Sequence, residues 1–157
     1  MIFIDIDGTL IDFIGTARKF GIEMDPSMFG QWKWGADGYP TPEEFYKKAE
    51  LQPWAKELTN VLSDSFFPDL ITADYADIKK SFLTKKSFHV LFCDHFESRD
   101  KSIYCKTPMD FLIDDDPSQC EAWRRKGGIA YHFDLSDYYK NGADPFKKFL
   151  EYWRLEK

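Results

Sequence analysis

The ten residues that open the sequence, M-I-F-I-D-I-D-G-T-L, constrain the fold more than any other stretch. Ile2, Phe3 and Ile4 form an apolar run that ends on two carboxylates one residue apart, Asp5 and Asp7. Gly8 and Thr9 follow, and a second apolar pattern runs from Leu10 to Phe13. Such a run reads as a central strand of a parallel sheet, covered on both faces and so free of the alternation that a half-exposed strand needs. Carboxylates are costly inside a sheet, which puts Asp5 and Asp7 at its carboxyl end, where open α/β sheets bind ligands. Residues i and i+2 share one side of a strand, so both can face one ligand if the strand continues that far, whereas Gly8 permits a sharp turn. A hard cation such as Mg2+ would relieve the repulsion between them and organise a phosphate oxygen.

A second strand ends in the same way. Phe111 to Ile113 lead into Asp114, Asp115 and Asp116, and Pro117 follows. Asp116 fits the N-cap of a helix over 118–126 that stops at Gly127-Gly128, which leaves Asp114 and Asp115 for a metal site. Between these strands, Leu70 and Ile71 run into Thr72, and a helix over 75–83 follows with Asp74 as its cap. A strand, a Thr and a helix N-terminus in succession can hold phosphate through a hydroxyl and free backbone N–H groups. F88-H-V-L-F-C reads as a third strand, with His89 at its start and His95 in a loop near the open end; Ile129 to Phe133 reads as a fifth, with His132 on its face. If these strand ends hold a phosphate, a lysine would offset its charge and that of Asp5. The candidates are Lys85, Lys86, Lys101 and Lys106. The chain must descend to the closed end before Phe111, which lets Lys101 stay at the rim and carries Lys106 downward, although the sequence does not decide between the two.

Residues 14–64 read as a helical insert. A helix from about Ile11 ends at Gly21, an irregular aromatic segment follows, T41-P-E-E is a capping box with proline at N1, and Pro53 opens another helix through Trp54, Leu58 and Leu62. Phe29, Trp32, Trp34 and Tyr39 lie where no helical period assigns them to a core. They either stack on a ring of a substrate or hold the insert onto the main domain.

Aromatic residues make up 18% of the 157-residue chain, which predicts one domain with a ring-rich core rather than disorder. The formal charge of −6 opposes a large nucleic-acid interface. No apolar run is long enough to span a membrane. Three cysteines without zinc spacing or a leader segment point to a reduced, cytoplasmic protein.

In order along the chain, D-I-D-G-T at 5–9, Thr72, D-K-S at 100–102 and D-F-L-I-D-D at 110–115 resemble motifs I to IV of the haloacid dehalogenase-like superfamily. The last two segments look like its 5'(3')-deoxyribonucleotidase-like branch. The resemblance implies a three-layer Rossmann-like α/β domain with a five-stranded parallel sheet in the order 5-4-1-2-3. Residues 1–13 and 65–157 would form the catalytic core, with 14–64 a small cap inserted after strand one. It implies Asp5 as nucleophile, Asp7 as general acid and base, Thr72 and Lys101 on the phosphoryl group, Mg2+ held by Asp5, Asp7 and Asp115, and Asp114 holding Lys101 or a metal-bound water. Trp32 and Trp34 are the candidate substrate contacts. The implied activity is Mg2+-dependent hydrolysis of a small phosphomonoester, in this branch a nucleoside monophosphate. The alternatives are phosphatase action on another metabolite such as a sugar phosphate, or a metal- and phosphate-binding protein with little turnover. A response-regulator receiver is disfavoured by the insert directly after Thr9. Oligomeric state is left open by the sequence.

Overall fold

Five short strands, β1 (Ile2–Asp5), β2 (Asp69–Thr72), β3 (His95–Glu97), β4 (Phe111–Asp114) and β5 (Ile129–His132), pair in parallel throughout. Their order is β3-β2-β1-β4-β5, which is the order 5-4-1-2-3 read from the other edge. The computed structural model describes residues 1–63, 68–88 and 94–156. With β1 central, every one of its residues is buried, as an unalternating run requires. Ile2 and Ile4 face one core cluster, which also takes Leu70, Ile113, Phe133 and Phe149. Phe3 faces a second, smaller one with Ile71, Leu112, Cys120 and Trp123. This is the α/β sandwich that two-sided burial of a parallel sheet demands.

The helices are α1 (Phe13–Lys19), α2 (Pro42–Lys48), α3 (Ala55–Ser63), α4 (Ala76–Lys85), α5 (Pro117–Arg125), α6 (Ser136–Asn141) and α7 (Pro145–Glu156). Several begin where the side-chain chemistry indicates. The Thr41 hydroxyl accepts from the Glu44 backbone N–H while the Glu44 carboxylate accepts from Thr41, and Asp116 accepts from the Ser118 backbone N–H at 2.8 Å. The irregular aromatic segment contains a 3-10 helix, Pro26–Gln31. Phe45, Tyr46, Trp54 and Leu58 of the insert, with Phe13 just before it, join the same cluster as Ile2 and Ile4, so the insert's apolar faces close over one side of the sheet. Among the described residues, no helix is long and apolar enough to cross a membrane.

Two local readings change. The strand read at 88–93, with His89 and Cys93, lies mostly outside the described residues; among those described, the third strand is His95–Glu97, and His95 is its first residue, opposite Leu70, rather than part of a loop at the site. A three-residue edge strand, H-F-E, has no apolar run to reveal it. The N-cap of α4 is Tyr75 in the left-handed region (φ 52°), without a side-chain cap, not Asp74. The Asp74 carboxylate is drawn instead to an ammonium 3.0 Å away, that of Lys79, and the Ala76 N–H at the helix start donates to Glu97 on β3 at 2.8 Å.

Candidate active site

Parallel pairing sets the carboxyl ends of β1, β2 and β4 side by side, with Asp5 opposite Ile71 and Ile4 opposite Ile113. Asp5, Thr72 and Asp114 are therefore the last residues of three adjacent strands. All three are buried, at 4%, 1% and 0% exposure, so their polar groups must find partners within the protein.

The partner of two of them is Lys101, the first residue of a 3-10 helix, Lys101–Tyr104, on the face of the sheet that Phe3 lines. Its Nζ donates to Asp5 Oδ1 at 2.5 Å and to Asp114 Oδ2 at 2.6 Å. Burial alone would disfavour the ammonium, but Asp114 and Asp5 outweigh it and hold its pKa above the usual lysine value. Lys101, expected at the open end of the sheet, lies there and is 3% exposed, whereas Lys106, Lys85 and Lys86 are exposed. Asp114 Oδ1 accepts the Asp116 backbone N–H at 2.9 Å, so both oxygens of Asp114 are engaged.

Asp115 is half-buried beside them. Asp5, Asp114 and Asp115 each offer an oxygen, and these oxygens lie within 4.8 Å of one another. One ammonium faces three carboxylates there. Burial first, and then the neighbouring charges, push the Asp114 and Asp115 carboxyls upward. Gly8 makes the approach possible: it sits at φ 84°, and a Cβ there would collide with the Asp115 carboxylate.

The Asp7 carboxylate does not join this group. The strand ends at Asp5, and beyond it the backbone turns so that the Gly8 N–H donates to the Ile11 carbonyl at 2.9 Å. Asp7 Oδ2 lies 2.6 Å from Lys79 Nζ, and its Oδ1 accepts from the Tyr46 hydroxyl at 2.7 Å. Lys79, fully buried, also donates to Thr72 Oγ1 at 2.7 Å. Burial opposes its charge, but Asp7 and Asp74 prevail and raise its pKa; burial and then Asp7 raise that of the Tyr46 phenol. Neither residue stood out in the sequence. A signal exists for Lys79, because it precedes the buried Phe82 and Leu83 by three and four residues, and so sits on the apolar face of α4.

The insert fixes the turn after β1 from outside. Gln52 Nε2 donates to the Gly8 carbonyl at 2.8 Å and Trp54 Nε1 to the Thr9 carbonyl at 2.8 Å; Tyr139 donates to Asp12, the cap of α1, at 2.6 Å. A cleft of about 250 Å³ opens over the carboxylates, with Asp5, Asp7, Thr72, Lys101 and Asp115 in its floor and Phe13, Phe29, Trp32 and Trp34 on its wall. These rings also pack on one another. Trp32 lies 4.9 Å from Phe13, 5.0 Å from Tyr39, 5.3 Å from Trp34 and 5.5 Å from Phe45 between centroids, and Trp34 lies 5.8 Å from Tyr75.

Neither a protein-family model nor a curated protein sequence matches the chain. Solved structures do. The chain is similar to a haloacid dehalogenase-like family hydrolase from Streptococcus pneumoniae at TM-score 0.59 and 16% identity, over 96% of this chain and 97% of that one. It is similar to a HAD family hydrolase from Deinococcus radiodurans R1 with bound phosphate and sodium, at TM-score 0.54 and 12% identity, over 82% and 78%. A HAD family enzyme from Bacteroides thetaiotaomicron, in complex with magnesium and inorganic phosphate, matches at TM-score 0.53 and 14% identity, over 83% and 91%. At these identities the likeness establishes the fold, that of the haloacid dehalogenase-like hydrolases.

Proposed function

We propose that this chain is a Mg2+-dependent phosphomonoesterase that works through an aspartyl-phosphate on Asp5. The observation that carries the reading is Lys101 bound between Asp5 and Asp114 with Asp115 beside them, next to the Thr72 hydroxyl at the end of the neighbouring strand. The donor set suits a hard divalent cation: Asp5 and Asp115 each have a carboxylate oxygen within reach of one position, and Asp114, occupied by Lys101 and a backbone N–H, supports them. When bound, Mg2+ would neutralise phosphoryl oxygens and the crowded carboxylates. In two of the solved structures of similar fold the phosphate, in one of them with magnesium, occupies a protein of this architecture.

In the first step an Asp5 carboxylate oxygen attacks phosphorus, the ester P–O bond breaks, and a proton from the Asp7 carboxyl goes to the leaving oxygen. Lys101 and the Thr72 hydroxyl donate to the phosphoryl oxygens as charge shifts onto them. In the second step Asp7 takes a proton from water as its oxygen attacks phosphorus. The P–O bond to Asp5 breaks, releasing inorganic phosphate and restoring the Asp5 carboxylate.

We infer a nucleoside monophosphate as the substrate, with Trp32 and Trp34 as contacts of the base, because these rings line the same cleft as the carboxylates. Residues 14–64 then act as the cap over the core formed by 1–13 and 65–157. The cleft volume of about 250 Å³ favours, as a second reading, a smaller ester such as a sugar phosphate. Buried, unpaired Cys105 and Cys120 suit the reducing cytoplasm.

The test is phosphate release by purified protein with Mg2+ over nucleoside monophosphates and sugar phosphates, run beside Asp5→Asn. Turnover is expected on at least one class and none from the variant. Near-normal release by Asp5→Asn would exclude the aspartyl-phosphate route, and a flat wild-type profile would favour a binding protein.

A further inference from the structure

We propose that Lys79 is a positioning residue for two groups of this reaction at once, an inference that rests on the phosphatase reading above. It sets the direction in which Thr72 offers its hydroxyl proton and it holds the Asp7 carboxylate in place.

An ammonium has three N–H bonds to give and accepts none. All three are used: Asp7 Oδ2 at 2.6 Å, Thr72 Oγ1 at 2.7 Å and Asp74 Oδ1 at 3.0 Å. A hydroxyl that faces an ammonium must accept there, so its single proton points elsewhere. In this structure it points to the Asp74 carbonyl at 3.3 Å, a long bond that is readily exchanged for a better acceptor. A phosphoryl oxygen is such an acceptor and cannot donate when ionised. Lys79 thereby makes Thr72 a donor toward the ligand.

Asp7 is held from two sides. Lys79 takes one oxygen from α4, and the Tyr46 hydroxyl takes the other from α2 in the insert. With both oxygens engaged the carboxylate has one orientation, beside the cleft and turned from the Asp5–Asp115 group. A purely structural role explains Lys79 poorly. It sits on the apolar face of α4 beside Phe82 and Leu83, where an aliphatic side chain would fill the space without a charge to bury.

The test uses two monoesters that differ in their need for a proton. An alkyl phosphate must receive one at its leaving oxygen, whereas p-nitrophenyl phosphate leaves as a stable anion. For each, kcat/KM covers the steps through cleavage of the ester bond. Lys79→Met is expected to lower kcat/KM on the alkyl ester by roughly a hundredfold, within the range that general acid catalysis supplies, and on the nitrophenyl ester by at least about tenfold less. Lys79→Arg keeps the charge. Its planar fork cannot aim three N–H bonds from one point, so the same selective loss is expected in smaller degree. Equal losses on both esters would overturn the role toward Asp7, and a lowered thermal midpoint beside them would show that Lys79 only supports the fold; no loss on either ester would overturn the whole proposal. Should Lys79→Met fail to fold, the ester ratio of Lys79→Arg decides alone. A wild type inert toward both esters with Mg2+ removes the phosphatase reading itself, and this inference with it, before any variant is compared.

Discussion

Two lysines divide four acidic side chains between them: Lys101 pairs with Asp5 and Asp114, Lys79 with Asp7 and Asp74. The sequence made Asp5, Asp7, Asp114 and Asp115 conspicuous because a carboxylate at the end of an apolar run has no structural excuse. It could not reveal that the two aspartates of D-I-D turn to different partners, since that depends on a backbone bend after Asp5 and on a lysine seventy-two residues away. Asp115 and Asp116 likewise look alike in sequence and differ in use. Asp116 accepts from the Ser118 N–H and hydroxyl at the start of α5, whereas Asp115 makes its oxygen available beside Asp5. Asp115→Ala is therefore expected to raise the half-saturating Mg2+ concentration for phosphate release by more than Asp116→Ala does. The latter should chiefly cost stability, by about 1 kcal/mol as loss of a helix cap usually does. Titrating activity against Mg2+ and melting both variants checks the assignment; a larger Mg2+ shift for Asp116→Ala would reverse it.

At the level of elements, β1 and β4 were legible because burial on both faces leaves an uninterrupted apolar run, and α2 and α5 because their caps are written in side-chain chemistry. Edge strand β3 and the six-residue α6 carry neither signal. His95 shows what an edge position does to a titrating group. Half-buried on β3, its two ring nitrogens have no hydrogen-bond partner among the described residues, and burial, then Lys80, lower its pKa below 6.5, with Asp94 and Asp77 pulling weakly the other way. As pH falls below about 6.5 the unfolded chain takes up a proton that the native imidazole refuses, so stability declines with acidification until the native pKa is reached. His95→Leu removes this contribution. Between about pH 7.5 and 5.5 the variant should lose less stability than wild type in urea titrations; identical slopes would mean that the native His95 titrates as freely as in the unfolded chain.

On the scale of the whole molecule, the order β3-β2-β1-β4-β5 makes β1 the strand at which the chain reverses direction across the sheet, and the cleft lies over its end. The sequence placed the acidic strand ends, and the family resemblance supplied their adjacency. The packing of the insert was beyond either, because rings without helical period can turn to a core, a ligand or both. Trp32 and Trp34 do line the cleft, yet Trp32 has four ring neighbours within 5.5 Å, enough to hold the insert together without a ligand. The two roles separate by substrate. Stacking on a base contributes roughly 1–3 kcal/mol, so if either tryptophan meets the base, its replacement by alanine lowers kcat/KM on a nucleoside monophosphate by about tenfold or more. A small ring-free phosphate ester should then be hydrolysed almost as before. A packing role predicts the opposite pattern, with equal losses on both substrates and a stability cost of about 3 kcal/mol or more, as for a large aromatic removed from a core. Trp34, which lines the cleft and also contacts Tyr75, is expected to show the nucleotide-selective loss, and Trp32 to combine it with the loss of stability. Measuring both esters and the urea midpoint on both variants distinguishes the cases, and unselective losses from both would leave the insert without a part in choosing the leaving group.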